Sequence, residues 1–232
     1  MRAIILSAGF GKRLLPLTAS CPKPLLKIGN ETLLSNTIKF LERFGVKQIV
    51  INVHYLKNQI IKYINENDFN LDIKKITEKD EILDTGGGVL NAIEYFSNEP
   101  FLVINPDTIW NEQYLPELEI MKKIFFEKEN NKCLLLVVNK NKSFDKSFSG
   151  DFTLENNLIK RENKNNLSHV YTGLQIIEPK IFSNIKTKIF SMNQIWNNLI
   201  LKNQLSGFES NIDFLHVSTL NVYEKLIKKI KY

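Results

Sequence analysis

The sequence predicts an α/β fold in which helices flank a mixed, mainly parallel sheet that carries a polar antiparallel insertion. Strand-like and helix-like patterns alternate over residues 1–139, which is typical of a parallel sheet covered on both faces. Residues 140–168 are polar and rich in asparagine, with only short strand-like pieces. The chain of 232 residues is 43% hydrophobic and has no linker rich in proline, glycine or serine. We therefore expect one domain over residues 1–232.

The individual elements follow from the periodicity of the apolar residues. Strands are predicted where short runs contain β-branched or other apolar residues, at 1–6, 47–53, 71–76, 101–104 and 134–139. Helices are predicted between them from apolar residues near helical spacing, at 32–44, 56–64, 88–96 and 112–129. The polar insertion contains strand-like pieces at 151–154 and 158–160. A strand, a helix, a short strand and a closing helix are predicted after it, at 169–177, 193–202, 214–217 and 220–230.

Composition and charge exclude several classes of protein. The 31 basic residues exceed the 25 acidic ones by six, but they are spread along the chain, and the densest group, residues 225–231, alternates with apolar residues as on an amphipathic helix. We expect no nucleic-acid partner, and the charge suits small anionic ligands equally well. No apolar run approaches the roughly 20 residues that span a bilayer, so we expect no membrane association. Cys21 and Cys133 fit a reducing compartment, and we expect the cytoplasm.

A glycine-containing loop, Ser7–Arg13, directly follows the first predicted strand. Glycine lets the backbone turn tightly and brings its N–H groups close to a phosphate. The spacing of Gly9 and Gly11 lacks the third glycine of the dinucleotide-binding fingerprint. The chain also contains no GxxxxGK[ST] motif, which disfavours the phosphate-loop NTPases. Taken alone, the loop is compatible with a phosphate site or with a plain turn.

Arg13 and Lys23 are two cations on a constrained stretch of backbone. Lys23 lies between Pro22 and Pro24, and proline fixes its own φ and restricts the residue before it. A planar guanidinium and a rigidly held ammonium suit two phosphates of one polyphosphate chain. The alternative is a proline-rich turn with an exposed lysine. The pair favours a polyphosphate ligand.

Residues 9–24 resemble the opening signature of the sugar-1-phosphate nucleotidylyltransferases, G-x-G-x-R-x-x-P-L-T-x-x-x-P-K-P. All nine fixed positions of the signature match. The resemblance implies a Rossmann-like, GT-A-like fold over the whole chain, with a nucleotide-binding half at 1–139 and a sugar-binding half at 140–232. It implies that a sugar 1-phosphate attacks a nucleoside triphosphate and releases pyrophosphate, and that the catalytic residues are Arg13, Lys23 and Asp107.

The same resemblance implies the nucleotide-binding residues: Ala8, Gly9, Gly11, Lys12, Arg13, Lys23, Glu78, Thr85, Gly86 and Gly87. The form L-D-T-G-G-G at residues 83–88 is similar to that of the N-acetylmuramate-1-phosphate uridylyltransferases, which favours UTP as donor and N-acetylmuramate 1-phosphate as acceptor. Three consecutive glycines are unfavourable in a helix, so the backbone there is expected to approach a ligand closely, unless the segment is only a flexible turn.

The expected cofactor is Mg²⁺, with Asp107 as a ligand. Asp107 follows a predicted parallel strand at its carboxyl end, where open α/β sheets bind ligands, and hard oxygen ligands suit Mg²⁺. An aspartate capping a turn is the alternative. The second metal ligand of the family lies in W-x-D-V-G-T-P, which corresponds here to residues 214–220 and has His216 in place of the aspartate. Imidazole is a poorer ligand for Mg²⁺ than a carboxylate. His216 therefore ligates the metal, holds a bound water, leaves Asp107 and the phosphates to carry the metal, or is a buried structural histidine.

The resemblance places five residues in the acceptor-sugar pocket: Asn105, Asp151, Thr172, Gly173 and Asn193. Alternatively, Asp151 is only a loop aspartate and Gly173 an ordinary glycine of a strand, with no role in sugar binding. The expected protein is a monomer or a small homo-oligomer. Two other functions remain open: a mannose- or heptose-1-phosphate guanylyltransferase, and a nucleotide-sugar-binding regulatory protein with impaired catalysis.

Overall fold

The computed structural model describes residues 1–79, 81–127, 131–161 and 167–230. Its strands are β1 Ala3–Leu6, β2 Lys27–Ile28, β3 Glu31–Thr32, β4 Gln48–Val53, β5 Asp72–Thr77, β6 Phe101–Ile104, β7 Cys133–Asn139, β8 Thr153–Glu155, β9 Leu158–Lys160, β10 His169–Ile177 and β11 Leu205–Ser210. Its α-helices are α1 Leu33–Arg43, α2 Lys57–Glu66, α3 Asp84–Asn91, α4 Tyr114–Glu127, α5 Met192–Leu201 and α6 Leu220–Lys229.

Nine of these strands form one mixed sheet in the order β5-β4-β1-β6-β10-β7-β11-β9-β8. The neighbours β5, β4, β1 and β6 are parallel, and so are β7 and β11. β10 is antiparallel to both β6 and β7, between which it lies. The β8–β9 hairpin extends the other edge in antiparallel pairing. The predicted fold class, including the antiparallel insertion, is confirmed.

The helices cover both faces of the sheet because the strands expose apolar side chains on both. Residues such as Ile5, Ile51 and Ile104 pack on one face with apolar residues of α1, α2 and α4. On the opposite face, Ile4 and Val103 pack with apolar residues of α3 and α5. Alternate residues of a strand point to opposite faces, so each strand contributes to two hydrophobic layers. Across the described residues, no helix combines the length and apolar character needed to cross a membrane.

Three details of the predicted secondary structure are wrong. The helix predicted at 88–96 begins at Asp84 and ends at Asn91, so the three glycines lie inside it. The strand predicted at 214–217 forms only isolated bridges, from Phe214 to Ser143 and from His216 to Thr108. The sequence pattern also missed β11, which is polar and contains Gly207. A Cβ on Gly207 would lie 2.5 Å from the side chain of Ile159 on β9, so close packing accounts for the glycine.

Candidate active site

The loop after β1 is folded back toward Lys23, and Gly11 is the residue that permits it. Gly11 has a φ of +65°, and a Cβ there would lie 2.9 Å from the Thr18 side chain and 3.2 Å from that of Lys23. The Thr18 hydroxyl donates to the Gly11 carbonyl at 3.0 Å. At Gly9, by contrast, an added Cβ would meet nothing within 4 Å. Gly11 is therefore required by the fold, whereas Gly9 leaves the backbone open toward the neighbouring cavity.

Lys23 and Asp107 form an ion pair at the centre of the site. The Lys23 ammonium lies 2.5 Å from Oδ2 of Asp107, and the two side chains are only 15% and 18% exposed. Nε2 of His216 lies 3.1 Å from the same carboxylate oxygen. Burial by itself would raise the pKa of the Asp107 carboxyl, but the charges and hydrogen bonds of Lys23 and His216 hold this pKa well below its usual value. Asp107 is therefore an anion throughout the neutral pH range.

A cavity of about 390 Å³ brings most of the predicted nucleotide-binding residues together with this ion pair. Arg13 lies on its wall and is exposed. Among the residues that the structure describes, no carboxylate lies within 4.0 Å of the Arg13 guanidinium, so its charge is available to an anion. The predicted site residues that line the cavity are Ala8, Gly9, Gly11, Lys12, Arg13, Lys23, Thr85, Asn105 and Asp107.

Glu78 lies behind the cavity wall and is buried. Its carboxylate accepts hydrogen bonds from the Asn52 side chain at 2.6 Å and from the Leu83 backbone N–H at 2.8 Å. Asn52 in turn accepts from the backbone N–H of Ser7 at 2.8 Å. The network therefore joins the carboxyl ends of three neighbouring strands, β1, β4 and β5, to the start of α3. Asn52 was not identified from the sequence, because no motif marks it, and Ser7 was recognised only as the first residue of the glycine-containing loop; both line the cavity.

The three glycines of α3 approach other parts of the chain rather than open space. The backbone N–H groups of Gly86 and Gly87 donate to the Phe190 carbonyl at 2.9 and 3.0 Å. A Cβ on Gly86 would lie 2.4 Å from the Phe190 ring, and one on Gly87 would lie 2.1 Å from the Lys188 carbonyl oxygen. The expected close approach therefore exists, but its partner is the segment that precedes α5. Of the three nucleotide-binding residues predicted in this motif, Thr85 lines the cavity, whereas Gly86 and Gly87 do not.

The predicted sugar-pocket residues fall into two groups. Asn105 lines the cavity, and its backbone N–H donates to the Gly173 carbonyl at 2.7 Å. Thr172 is buried, and its hydroxyl donates to the Leu136 carbonyl, which is a structural contact. Asp151, Gly173 and Asn193, like Thr172, do not line the cavity; the Asp151 backbone carbonyl and the Asn193 side chain both accept hydrogen bonds from Arg161.

Asp107 is also the best placed residue for a metal ion. Its Oδ1 atom is buried and has no hydrogen-bond partner in the described part of the chain. Mg²⁺ is commonly held by one or two carboxylates together with substrate phosphates, so one unengaged carboxylate oxygen fits such a site. The described residues contain no group of three or more His, Cys, Asp or Glu side chains that could hold a metal. Nε2 of His216 faces the Asp107 carboxylate, whereas its Nδ1 is buried without a partner among these residues.

Comparison with known proteins decides the family. A model of the nucleotidyl transferase family matches residues 2–148, which is more than half of the chain. The chain belongs to this family. An N-acetylmuramate alpha-1-phosphate uridylyltransferase of Caulobacter vibrioides is 26% identical to it over 220 residues, which are 93% of this chain and 90% of the relative. The resemblance to the sugar-1-phosphate nucleotidylyltransferases is thus confirmed.

Two further matches show the breadth of this nucleotidyl transferase's relatives. A mannose-1-phosphate guanylyltransferase catalytic subunit beta of Xenopus tropicalis is 29% identical over 222 residues, which are 90% of this chain and 59% of the relative. The solved structure of the inositol-1-phosphate CTP transferase from T. maritima gives a TM-score of 0.79 at 20% identity, covering 99% of this chain and 96% of that one. At that identity the structural likeness establishes the fold alone.

Proposed function

We propose that this nucleotidyl transferase moves UMP from UTP to N-acetylmuramate 1-phosphate. A phosphate oxygen of the sugar 1-phosphate attacks the α-phosphorus, the bond from that phosphorus to the β-phosphate oxygen breaks, and pyrophosphate leaves. The observation that carries the proposal is the shared cavity of Arg13, Lys23 and Asp107. Both cations and the carboxylate border one space that is large enough to hold a small phosphorylated ligand.

The chemistry requires positioning and charge neutralisation more than a covalent nucleophile. The attacking phosphate oxygen is already an anion, so no general base is needed. Arg13, at the exposed wall, is proposed to neutralise the outer phosphates of the triphosphate, because a guanidinium binds phosphate oxygens in a fork. Lys23, held between two prolines, is proposed to contact the phosphates at the reacting centre.

Asp107 is proposed to hold Mg²⁺ through its unengaged Oδ1 atom. The ion would neutralise charge on the phosphate oxygens that contact it. Lys23 and His216 fix the orientation of the Asp107 carboxylate by contacting its other oxygen, Oδ2. We assign His216 to this positioning role, since its Nε2 already faces Asp107.

The nucleotide and the acceptor are tested by a panel of the four nucleoside triphosphates against several sugar 1-phosphates, with pyrophosphate release as readout. We expect the highest kcat/KM with UTP and N-acetylmuramate 1-phosphate. The Caulobacter relative supports this pair, whereas the Xenopus relative favours a guanylyltransferase acting on mannose 1-phosphate. Preference for GTP would replace our proposal by this second function. Binding of nucleotide-sugars without pyrophosphate release would instead indicate the regulatory protein.

Two glycine variants separate phosphate binding from folding. Gly9→Ala is expected to change the free energy of unfolding by less than about 0.5 kcal/mol, because its Cβ meets open space. It should nevertheless raise the KM for the nucleoside triphosphate, because the Cβ stands where the backbone approaches phosphate. Gly87→Ala is the contrasting variant, with an expected loss of about 1–3 kcal/mol of stability from the clash with Lys188. Urea denaturation and steady-state kinetics measure both effects. An unchanged KM in Gly9→Ala would contradict the phosphate-binding role of the loop.

A further inference from the structure

Arg161, at the end of the β8–β9 hairpin, has a guanidinium held by three acceptors. Its Nε donates to the Asp151 backbone carbonyl at 3.1 Å. Its Nη1 and Nη2 donate to the side-chain oxygens of Asn197 and Asn193, at 2.9 and 2.8 Å. The two asparagines lie one turn apart on the exposed side of α5. The guanidinium therefore spans from the hairpin to α5 and is fixed at both terminal nitrogens.

An aromatic ring fixes the guanidinium further. The central carbon of Arg161 lies 4.4 Å from the centroid of the Phe152 ring, and Phe152 is fully buried and packs against Trp196. A guanidinium favours such a position over an aromatic face. Because the ring cannot move without disturbing the core, the guanidinium is held in one place before any ligand binds. Such preorganisation lowers the entropic cost of binding.

Two chains of contacts connect Arg161 to the wall of the active-site cavity. Asn193, which it contacts, directly follows Met192, whose backbone N–H donates to the hydroxyl of Thr85 on the cavity wall at 2.9 Å. On the other side, the Asp151 carboxylate accepts from the Tyr171 backbone N–H at 3.0 Å. Tyr171 is on the same strand as Gly173, which contacts Asn105 of the cavity wall. Arg161 does not line the cavity itself, but these contacts connect it to Thr85 and Asn105 of the cavity wall.

The acceptors of the guanidinium are neutral. Among the residues that the structure describes, no carboxylate oxygen lies within 4.0 Å of its nitrogens. Three of its five N–H groups are used in the contacts above, and each terminal nitrogen carries two. The bonds to the two asparagines already have one charged partner, and a carboxylate would supply a second charge that the amides lack.

We propose that Arg161 binds a carboxylate on the acceptor sugar and so selects acidic sugar 1-phosphates over neutral ones. This rests on the proposed function, in which the acceptor is N-acetylmuramate 1-phosphate. N-acetylmuramate differs from N-acetylglucosamine by a lactyl ether that carries a carboxylate. A guanidinium matches a carboxylate in charge, and Nη1 and Nη2 of Arg161 each have one further N–H group to donate.

The test compares the dissociation constants of UDP-N-acetylmuramate and UDP-N-acetylglucosamine by titration calorimetry. The two ligands share the UDP part and differ by the lactyl carboxylate. We expect the wild-type protein to bind UDP-N-acetylmuramate more tightly by roughly 10- to 100-fold. Arg161→Gln should abolish this preference without weakening the binding of UDP-N-acetylglucosamine, and Arg161→Lys should keep part of it. Lys160→Gln, which removes the same charge from the neighbouring residue, should keep all of it.

The outcomes separate this inference from the proposed function. Equal affinity of the wild-type protein for both ligands, or a preference that survives in Arg161→Gln, overturns the role of Arg161 and leaves uridylyl transfer standing. If neither UDP-sugar binds, the choice of UTP fails and the inference fails with it. Should Arg161→Gln not fold, as judged by thermal unfolding, Arg161→Met removes the same charge, and a preference that survives in Arg161→Met overturns the proposal.

Discussion

Replacement of Asp107 by asparagine is expected to lower the rate of pyrophosphate release by roughly 10²–10³-fold or more. Asparagine keeps the shape of the side chain but removes the charge that Lys23 and His216 face, and it is a weaker ligand for Mg²⁺ than a carboxylate. The rate should be measured over a range of Mg²⁺ concentrations, together with Mn²⁺ binding in the absence of substrates. We expect the variant to lose both activity and metal binding.

Asp84→Asn is the matched control for this variant. Asp84 lines the same cavity and is exposed, and its side-chain oxygen accepts from the Thr85 backbone N–H, a contact that asparagine can retain. The control should keep its activity within a few-fold of the wild type. Near-normal pyrophosphate release by Asp107→Asn would place the metal elsewhere.

Lys23→Ala should have an effect of similar size, a loss of roughly 10²–10³-fold in kcat/KM. The variant removes a cation from the reacting centre and leaves the Asp107 carboxylate, which is mostly buried, without its main partner. Lys27→Ala, an exposed lysine four residues further on, should lose little activity. Pyrophosphate release and thermal unfolding measure the two consequences.

The double variant Lys23→Ala/Asp107→Asn tests whether the ion pair acts as one unit. Groups that act together show strongly non-additive effects. The double variant should therefore release pyrophosphate only slightly more slowly than the less active of the two single variants. Activity losses that multiply would mean that Lys23 and Asp107 act independently, despite the 2.5 Å separation of their charged atoms.

Much of the fold follows from patterns within single segments. Apolar runs and helical spacing predict nearly all of the long strands and helices, because each buries a continuous apolar face. β11 is different, because it contains Gly207 and two serines and therefore lacks the apolar pattern of a strand. It forms a strand because it pairs with β7 and β9. Likewise, residues 214–217 are apolar enough for a strand, but Phe214 and His216 contact other segments only singly.

The parts of the candidate site whose residues are close together in the sequence could be predicted. The parts whose residues are far apart in the sequence and meet only in the fold could not. The spacing of Gly9, Arg13 and Lys23 indicates a phosphate site, and the structure brings it to Asp107. Arg161 carries no motif, and its position depends on α5 and on the Phe152 ring. The glycines of α3 could be recognised as a point of close approach, but only the folded chain shows that Phe190 is the partner.

The position of β10 has a consequence for synthesis on the ribosome. β6 and β7 leave the ribosome before β10, which separates them in the sheet, so the edge that each strand presents to β10 cannot be fully paired until residue 177 has emerged. During that interval β6 can pair only with β1, whereas β7 lacks both β10 and β11, and unpaired edges are prone to aggregation. A truncated product that ends at residue 139 would retain this exposed pair, which makes it a natural substrate for chaperones and proteases.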